Sequence, residues 1–138
     1  MFKRIDHIGI AVRDLAASIT YFKEKFGLIP DYEINLRGFH AAFFPTRDTP
    51  LELIRDHSPN GAIAKFLEKR GEGVHHIAFE VEDIRSALET LRSKGIRTLD
   101  EDPKEGAHDT LVAFLHPKDT YGMLIELVEY RKPCSSPR

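Results

Sequence analysis

A nine-residue stretch near the N-terminus of this 138-residue chain recurs 69 positions later (76 − 7), and this repeat restricts the fold more than any other feature. Residues 7–15 and 76–84 share His, Ile, Val and Asp at the same relative positions. A chain with two copies of one structural unit places equivalent residues at equivalent points of both copies. The repeat therefore predicts two similar halves.

Both copies change from alternating to helical spacing of their apolar residues. Asp14 and Asp83 stand at the change, where a carboxylate accepts hydrogen bonds from the free N–H groups of a first helical turn. The apolar positions that follow at helical spacing are Leu15, Ile19, Phe22 and Phe26 in the first copy, and Ile84, Leu88 and Leu91 in the second. Gly27 and Gly95 supply the left-handed conformation that ends a helix. Each copy is therefore predicted to run strand, turn, helix and stop.

Three short strands are predicted after each helix. They lie near residues 29–36, 39–45 and 50–55 in the first copy, and near 96–100, 110–116 and 122–129 in the second. Both sets end with an acidic residue between two aliphatic residues, at Glu52 and at Glu126. The pattern predicts an α+β fold that consists of two βαβββ modules side by side.

The segment between the two modules is predicted to be a connecting helix. Ile63, Phe66 and Leu67 have helical spacing, and Gly71 and Gly73 follow them. A length of 138 residues fits one compact domain. We therefore predict a single domain over residues 1–138, with module 1 at about 4–58, the connecting helix at about 60–71, module 2 at about 73–130 and a polar tail at 131–138.

The composition, 41% hydrophobic and 30% charged residues, is that of an ordinary water-soluble globular protein. A net charge of −2 with scattered basic residues gives no surface for nucleic acid or an anionic membrane. No apolar run approaches the roughly 18–20 residues of a membrane helix, and the strand predicted over 5–12 leaves no room for a signal peptide. The single cysteine, Cys134, excludes an internal disulfide. We therefore expect a cytoplasmic protein without nucleic-acid or membrane partners.

Four polar residues fall on the same type of strand face in the two modules. Side chains alternate across a strand, so His7 and His76 lie opposite to the aliphatic residues that the helices should cover. The same alternation turns Glu52 and Glu126 away from the helices. If the two sheets curl around a shared cleft, these side chains converge there as ligands suited to Zn, Mn, Fe, Co or Ni. Taken singly, such a strand residue is more often solvated than a ligand.

Three segments carry a family resemblance: residues 6–12, 73–78 and 124–127. Through them the chain resembles, over about residues 4–130, the vicinal oxygen chelate superfamily, which includes glyoxalase I, methylmalonyl-CoA epimerase, extradiol dioxygenases and bleomycin-resistance proteins. The resemblance implies a glyoxalase-like fold whose cupped mixed sheets surround a metal cleft. It also implies one divalent ion (Zn, Co, Ni, Mn or Fe) whose ligands are His7, Glu52, His76 and Glu126. The neighbouring His75 should face the helix side.

Within this superfamily, the second half is most similar to methylmalonyl-CoA epimerases, in residues 101–108 and 114–119, and residues 62–67 are similar as well. This resemblance implies epimerisation of a 2-methyl-branched malonyl thioester by α-proton abstraction, with the divalent ion stabilising the enolate. Glu126 is the first candidate for the catalytic base, and Glu52 is the symmetric alternative. The resemblance further implies a small-molecule acyl-CoA or thioester substrate and a homodimer.

Two positions depart from the epimerase pattern. Asp109 stands where epimerases often have Gly, and Ala41 lies near the position where some of them carry a glutamate base. His40, beside Ala41, either replaces that base or simply lies on an exposed strand. His108 and Lys118 are candidates for binding the carboxylate or the phosphates of the substrate, although solvated loop residues are the commoner case. His40 is a third candidate for binding the substrate.

Other activities fit a similar set of ligands. Glyoxalase I (lactoylglutathione lyase) has a His/Glu/His/Glu set, so the ligands do not separate it from an epimerase. Extradiol dioxygenases usually hold iron through two His and one Glu, which leaves Glu52 as a surplus ligand. Bleomycin-resistance proteins are non-catalytic small-molecule binders that generally lack the ligands. The leading hypothesis is therefore an epimerase, and the main alternative is a glyoxalase I-type isomerase.

Overall fold

A strand, a helix and three strands occur twice in the structure, in the order that the repeat predicts. The structure, a computed structural model, describes residues 1–36 and 38–132, so that Cys134 and most of the predicted polar tail lie outside the described residues. Its elements are β1 (Phe2–Ala11), α1 (Leu15–Phe26), β2 (Tyr32–Asn35), β3 (Phe39–Phe44), β4 (Leu51–Asp56), α2 (Ala62–Arg70), β5 (Gly73–Val81), α3 (Ile84–Ser93), β6 (Lys104–Gly106), β7 (Thr110–Phe114) and β8 (Ile125–Tyr130), with a short 3-10 turn at Pro117–Asp119. The predicted α+β class and the repeated βαβββ order are confirmed.

The described chain divides into two compact units, and the limits between them fall inside β1 and β5. The N-terminal unit is His7–His75, and the C-terminal unit is Met1–Asp6 together with the chain from His76 onward. In the N-terminal unit the strand order is β2-β3-β4-β1, with β4 and β1 parallel and the other pairs antiparallel. In the C-terminal unit the order is β5-β8-β7-β6, with β5 and β8 parallel. The limits of the two modules along the sequence stay a prediction.

Helix α1 covers one face of the sheet in the N-terminal unit. The buried residues of this core are Val12, Leu15, Ala42, Phe44 and Leu53, with Ile10, Ile19, Phe22, Leu28 and Leu51 packed against them. Because Leu51 and Leu53 belong to the core, strand alternation turns Glu52 to the opposite face, as predicted. Phe26 continues the helical spacing of α1, but it is 62% exposed. It is the last residue of α1 and lies about 16 Å along the helix from Leu15.

Helix α3 covers the corresponding face in the C-terminal unit. The buried residues of this second core are Val81, Ile84, Ala87, Leu88, Ala113, Leu115, Ile125 and Leu127, with Phe79, Leu91, Ile96 and Leu111 packed against them. The helical positions predicted for α3 are therefore confirmed. Since Ile125 and Leu127 face α3, Glu126 between them lies on the other face of β8. The alternation predicted from the sequence holds in both units.

One predicted strand is misplaced along the sequence. Residues 96–100 form an isolated bridge at Thr98, and the strand that pairs with β7 on this side is β6. The side chain of Asp100 accepts the backbone N–H of Phe114 at 3.0 Å and so takes the place of a strand carbonyl. Pro103, just before β6, has no N–H to donate. The regular ladder with β7 therefore begins only after Pro103.

The helices are short. Helix α1 has 12 residues, α2 has 9 and α3 has 10, whereas a helix needs about 20 residues to cross the hydrocarbon core of a bilayer. Within residues 1–36 and 38–132, no helix is both long enough and apolar enough to span a membrane.

The predicted helix-terminal residues have the expected conformations. The carboxylates of Asp14 and Asp83 accept the backbone N–H three residues further on, at 3.0 and 3.1 Å. Gly27 and Gly95 follow the helices with φ of +68° and +88°, in the left-handed region that glycine adopts without a steric penalty. At α3 the N-terminus has a second acceptor, because Glu129 of β8 accepts the N–H of Ile84 at 2.8 Å.

Replacing Asp83 by alanine is expected to lower the free energy of unfolding by about 1 kcal/mol, because one N–H group at the start of α3 loses its acceptor. Urea denaturation followed by circular dichroism measures this change. Asp83→Asn is the matched control, since an amide oxygen can accept the same N–H and should retain most of the stability. Equal losses for the two variants would contradict a capping role.

Candidate functional site

A histidine and a glutamate form a buried pair in the N-terminal unit. The parallel neighbours β1 and β4 bring Gly9 opposite Glu52, and His7 precedes Gly9 by two residues on the same face. Nε2 of His7 lies 3.6 Å from Oε1 of Glu52, and the two side chains are 8% and 6% exposed. Ionisable side chains are rarely this buried unless they have a compensating partner or a functional role.

The C-terminal unit contains an equivalent pair. The parallel neighbours β5 and β8 bring Ala78 opposite Glu126, and His76 precedes Ala78 by two residues. Nε2 of His76 lies 3.7 Å from Oε1 of Glu126, and these side chains are 3% and 10% exposed. The strand register, the small residue opposite the glutamate and the N–O separation all repeat those of the first pair. The four residues singled out in the sequence therefore form two matching buried pairs.

Each pair has an aromatic neighbour that the sequence analysis missed. The ring of Phe43 packs against the imidazole of His7 at 5.6 Å between centroids and 84° between planes. The ring of Phe114 packs against His76 at 5.8 Å and 89°. Both phenylalanines precede their glutamate, by 9 residues (52 − 43) and by 12 residues (126 − 114). Because these spacings differ, no constant offset reveals the equivalence; strand alternation in β3 and β7 is the signal that could have found it.

The separation within each pair is slightly larger than that of two atoms that bind one cation. Distances of 3.6 and 3.7 Å exceed the roughly 2.7–3.2 Å of an N–H···O hydrogen bond. Two atoms that bind one ion at roughly 2.0–2.1 Å lie about 3.0–3.4 Å apart, depending on the coordination geometry. A decrease of a few tenths of an ångström would bring either pair into that range. Imidazole nitrogen and carboxylate oxygen are also the donors that borderline divalent metals accept, so each pair fits half of the predicted ligand set.

His75 lies on the face of β5 opposite to its neighbour His76. Its ring packs edge-on against Phe66 at 5.0 Å between centroids. The residue therefore faces a helix, as predicted, although that helix is α2 rather than α3. This packing gives the adjacent His75 and His76 different surroundings.

The structure does not bring His40 to the His7–Glu52 pair. His40 and Ala42 share one face of β3, and Ala42 belongs to the core under α1, whereas Phe43 lies on the opposite face. Nε2 of His40 lies 3.3 Å from a carboxylate oxygen of Glu33. His40 is half-buried, with 27% of its side chain exposed, and it lies on the face of β3 away from this pair; its role stays a prediction.

His108 and Lys118 lie beyond opposite ends of β7. His108 is in the turn before the strand, with φ of +60°. Lys118 is exposed, in the turn after the strand, and its backbone N–H donates to Nδ1 of His116 at 3.1 Å. The structure therefore does not bring the two together, and their contacts with a substrate stay a prediction.

An ion pair holds the turn that contains Lys118. The guanidinium of Arg97 donates to both carboxylate oxygens of Asp119, at 3.0 and 2.9 Å, and the backbone N–H of Arg97 donates at 2.9 Å. These hydrogen bonds hold the pKa of Asp119 well below its usual value. The carboxylate therefore stays charged through the neutral and mildly acidic range, and the turn before β8 keeps its anchor.

The amino-acid sequence matches a known protein family. A family profile described as the Glyoxalase/Bleomycin resistance protein/Dioxygenase superfamily matches residues 6–114. This match spans most of the chain and includes three of the four paired residues. The chain belongs to this superfamily, and the predicted family membership is confirmed.

Within the superfamily, the homologues and structural neighbours include methylmalonyl-CoA epimerases, which are isomerases. The Cereibacter sphaeroides ethylmalonyl-CoA/methylmalonyl-CoA epimerase is 40% identical over 132 residues, which cover 92% of this chain and 98% of that protein. The human mitochondrial methylmalonyl-CoA epimerase is 39% identical over 127 residues, 90% of this chain and 72% of that protein. A Streptomyces coelicolor epimerase variant in complex with 2-nitronate-propionyl-CoA superposes with a TM-score of 0.92 at 35% identity, covering 99% of this chain and 100% of that one.

Proposed function

We propose that this chain is a metal-dependent epimerase of a 2-methyl-branched malonyl thioester, of the methylmalonyl-CoA type. The observation that carries the proposal is the duplicated, buried His–Glu pair, with the same register and separation in both units. The similarity to epimerases over nearly the full length supports the choice of substrate. The solved epimerase in complex with methylmalonyl-CoA and NH4+, with a TM-score of 0.91, supports an acyl-CoA ligand.

The two pairs are proposed to share one divalent ion, with His7, Glu52, His76 and Glu126 as its ligands. When bound, such an ion supplies positive charge that stabilises the negative charge developing on a carbonyl oxygen as a neighbouring proton leaves. Burial of the four side chains favours this arrangement, because ligands shielded from water interact more strongly with a cation. Zn, Co, Ni, Mn and Fe all accept this set of nitrogen and oxygen donors.

Glu126 is proposed as the catalytic base, with Glu52 as the symmetric alternative. A base must come within about 3 Å of the proton that it removes. Inversion of the carbon centre then requires that a proton return from the opposite face. A glutamate can serve as both ligand and base only if its carboxylate leaves the ion during turnover. The choice of Glu126 rests on the resemblance to glyoxalase I, in which a mobile glutamate has this role.

Three further properties are expected from the sequence and from the family resemblance. The homodimer, the cytoplasmic location and the substrate contacts of His108 and Lys118 stay predictions. His40 is left without a proposed role in catalysis, because it lies on the face of β3 opposite to Phe43.

Deuterium exchange at C2 of methylmalonyl-CoA tests the proposed activity. In the metal-loaded protein, the C2 proton is expected to exchange with solvent deuterium, because abstraction and return of that proton are the reaction itself. The hemithioacetal of methylglyoxal and glutathione is the competing substrate, and NMR follows both reactions. An absence of exchange, or rapid conversion of the hemithioacetal, would overturn the epimerase assignment and, in the second case, favour a glyoxalase I-type isomerase.

A further inference from the structure

We infer that Phe43 and Phe114 are positioning residues for the two histidines, and that each ring sets the orientation of one imidazole toward the metal. The inference rests on the proposed function, since it assumes that His7 and His76 bind the ion. Neither phenylalanine is itself one of the proposed metal ligands.

Each ring occupies the same place relative to its His–Glu pair. Phe43 of β3 lies directly opposite Glu52 of β4 in the antiparallel register. Phe114 of β7 lies directly opposite Glu126 of β8. Side chains of directly opposed residues stand about 4.5–5.5 Å apart on one face of a sheet. In both units, a phenylalanine is therefore beside the glutamate and at the same time in edge contact with the histidine.

This contact restricts the rotation of the imidazole. The planes of the two rings stand at 84° in one unit and 89° in the other, the edge-to-face arrangement that aromatic pairs prefer. Rotation of the imidazole about its Cβ–Cγ bond breaks that arrangement. The nitrogen Nε2 is therefore kept on the side of the glutamate oxygen, 3.6 Å away for His7 and 3.7 Å for His76.

The rings also keep water from one side of each pair. Phe43 is 3% exposed, and Phe114 is partly buried. An apolar neighbour offers no hydrogen bond to the imidazole or the carboxylate, so it does not compete with the ion for their lone pairs. A ligand that already has the right orientation loses less conformational entropy when the metal binds. Both effects raise metal affinity without any contact between the rings and the ion.

Control residues lie on the helix-side faces of β3 and β5. Phe44 follows Phe43 in β3 and packs under α1 against Phe22, at 5.5 Å between centroids. In the C-terminal unit, Phe79 of β5 belongs to the core under α3. Replacing either control residue by leucine removes a comparable ring from a helix-side core. Such variants report the loss of stability alone.

The test is the affinity of the purified protein for Co²⁺, measured by competition with a chromophoric chelator, together with the visible absorption of the bound Co²⁺. Phe43→Leu and Phe114→Leu are each expected to weaken Co²⁺ binding by roughly 10-fold, the lower end of the effect of residues that orient metal ligands. Their absorption bands should also shift, because the ligand geometry changes. Phe44→Leu and Phe79→Leu should bind Co²⁺ within about twofold of the wild type, although their melting temperatures fall.

A conservative variant tests whether an aromatic ring at this position is enough to maintain metal binding. Phe114→Tyr keeps the aromatic ring, and the partial exposure of this position leaves room for a hydroxyl group. It should retain the affinity and the spectrum of the wild type. The inference fails if Phe43→Leu and Phe114→Leu bind normally, or if the control variants lose as much affinity. If the wild type takes up no Co²⁺, the proposed metal site fails as well. If the leucine variants bind Co²⁺ normally and His7→Ala does not, only the positioning inference is overturned.

Discussion

Replacing Glu126 by glutamine is expected to slow proton exchange at C2 of methylmalonyl-CoA by about 10²–10⁴-fold, the range that a positioned general base contributes. An amide has nearly the shape of the carboxylate but cannot take up the proton. The exchange rate is measured by NMR in D2O and divided by the amount of bound metal in each sample. Normalising the rate in this way distinguishes slower proton transfer, caused by loss of the base, from lower metal content, caused by loss of a ligand.

One variant is the control for Glu126→Gln, and a second variant tests the alternative base. Glu129→Gln changes an acidic residue of the same strand that lies on the helix side and accepts the N–H of Ile84. Glutamine retains this acceptor, so exchange should stay near the rate of the wild type. Glu52→Gln tests the symmetric alternative. If Glu126→Gln exchanges at the wild-type rate while Glu52→Gln does not, the base is Glu52 and the assignment of Glu126 is wrong.

Replacing either His7 or His76 by alanine is expected to abolish metal binding at the metal concentrations that saturate the wild type. We predict one ion per chain in the wild type and a loss of affinity of at least about 100-fold in His76→Ala, since removal of a direct ligand exceeds the 10–100-fold effect of an outer residue. His7→Ala should have the same effect, because the two pairs are proposed to share one ion. Metal content after dialysis, with affinity from competition titration, gives both quantities.

His75→Ala is the matched control for the histidine variants. His75 is adjacent to His76 in sequence but packs against Phe66 of α2. Its replacement should cost some stability and leave the metal content unchanged. Two ions per chain, or an ion that remains after His7→Ala, would show that the pairs bind separately and would refute the shared site.

Much of the framework could be predicted because it depends on short-range periodicity. The change from alternating to helical spacing at Asp14 and Asp83 predicted where α1 and α3 begin, and strand alternation predicted the faces of Glu52 and Glu126. These patterns follow from the geometry of strands and helices, which has fixed periods of about 2 and 3.6 residues. Tertiary contacts are not needed to identify them.

The structure departs from the simple patterns where local periodicity does not decide the outcome. Phe26 continues the helical pattern of α1, yet it is exposed because the end of a helix has few neighbours to cover it. The strand expected at 96–100 is replaced by β6, because the side chain of Asp100 takes up a strand N–H. A side chain that takes the place of a backbone carbonyl leaves no periodic pattern in the sequence, so this hydrogen bond is visible only in the folded chain.

The aromatic neighbours of the histidines are a second feature that local periodicity does not predict. Phe43 and Phe114 were not singled out, because the loops that follow them differ in length and hide their equivalence. Their contacts with His7 and His76 depend on the register between adjacent strands, which brings residues distant in sequence side by side.

Repeats and periodicity were enough to predict the duplicated βαβββ order, the two helix-covered faces and the residues on the faces opposite to them. The folded chain was needed to show that each histidine lies within 3.7 Å of its glutamate, that an aromatic ring packs against each histidine, and that His40 lies on the other face of β3. Periodicity is a property of neighbours along the chain, whereas distances between strands depend on register and on the packing of each sheet against its helix.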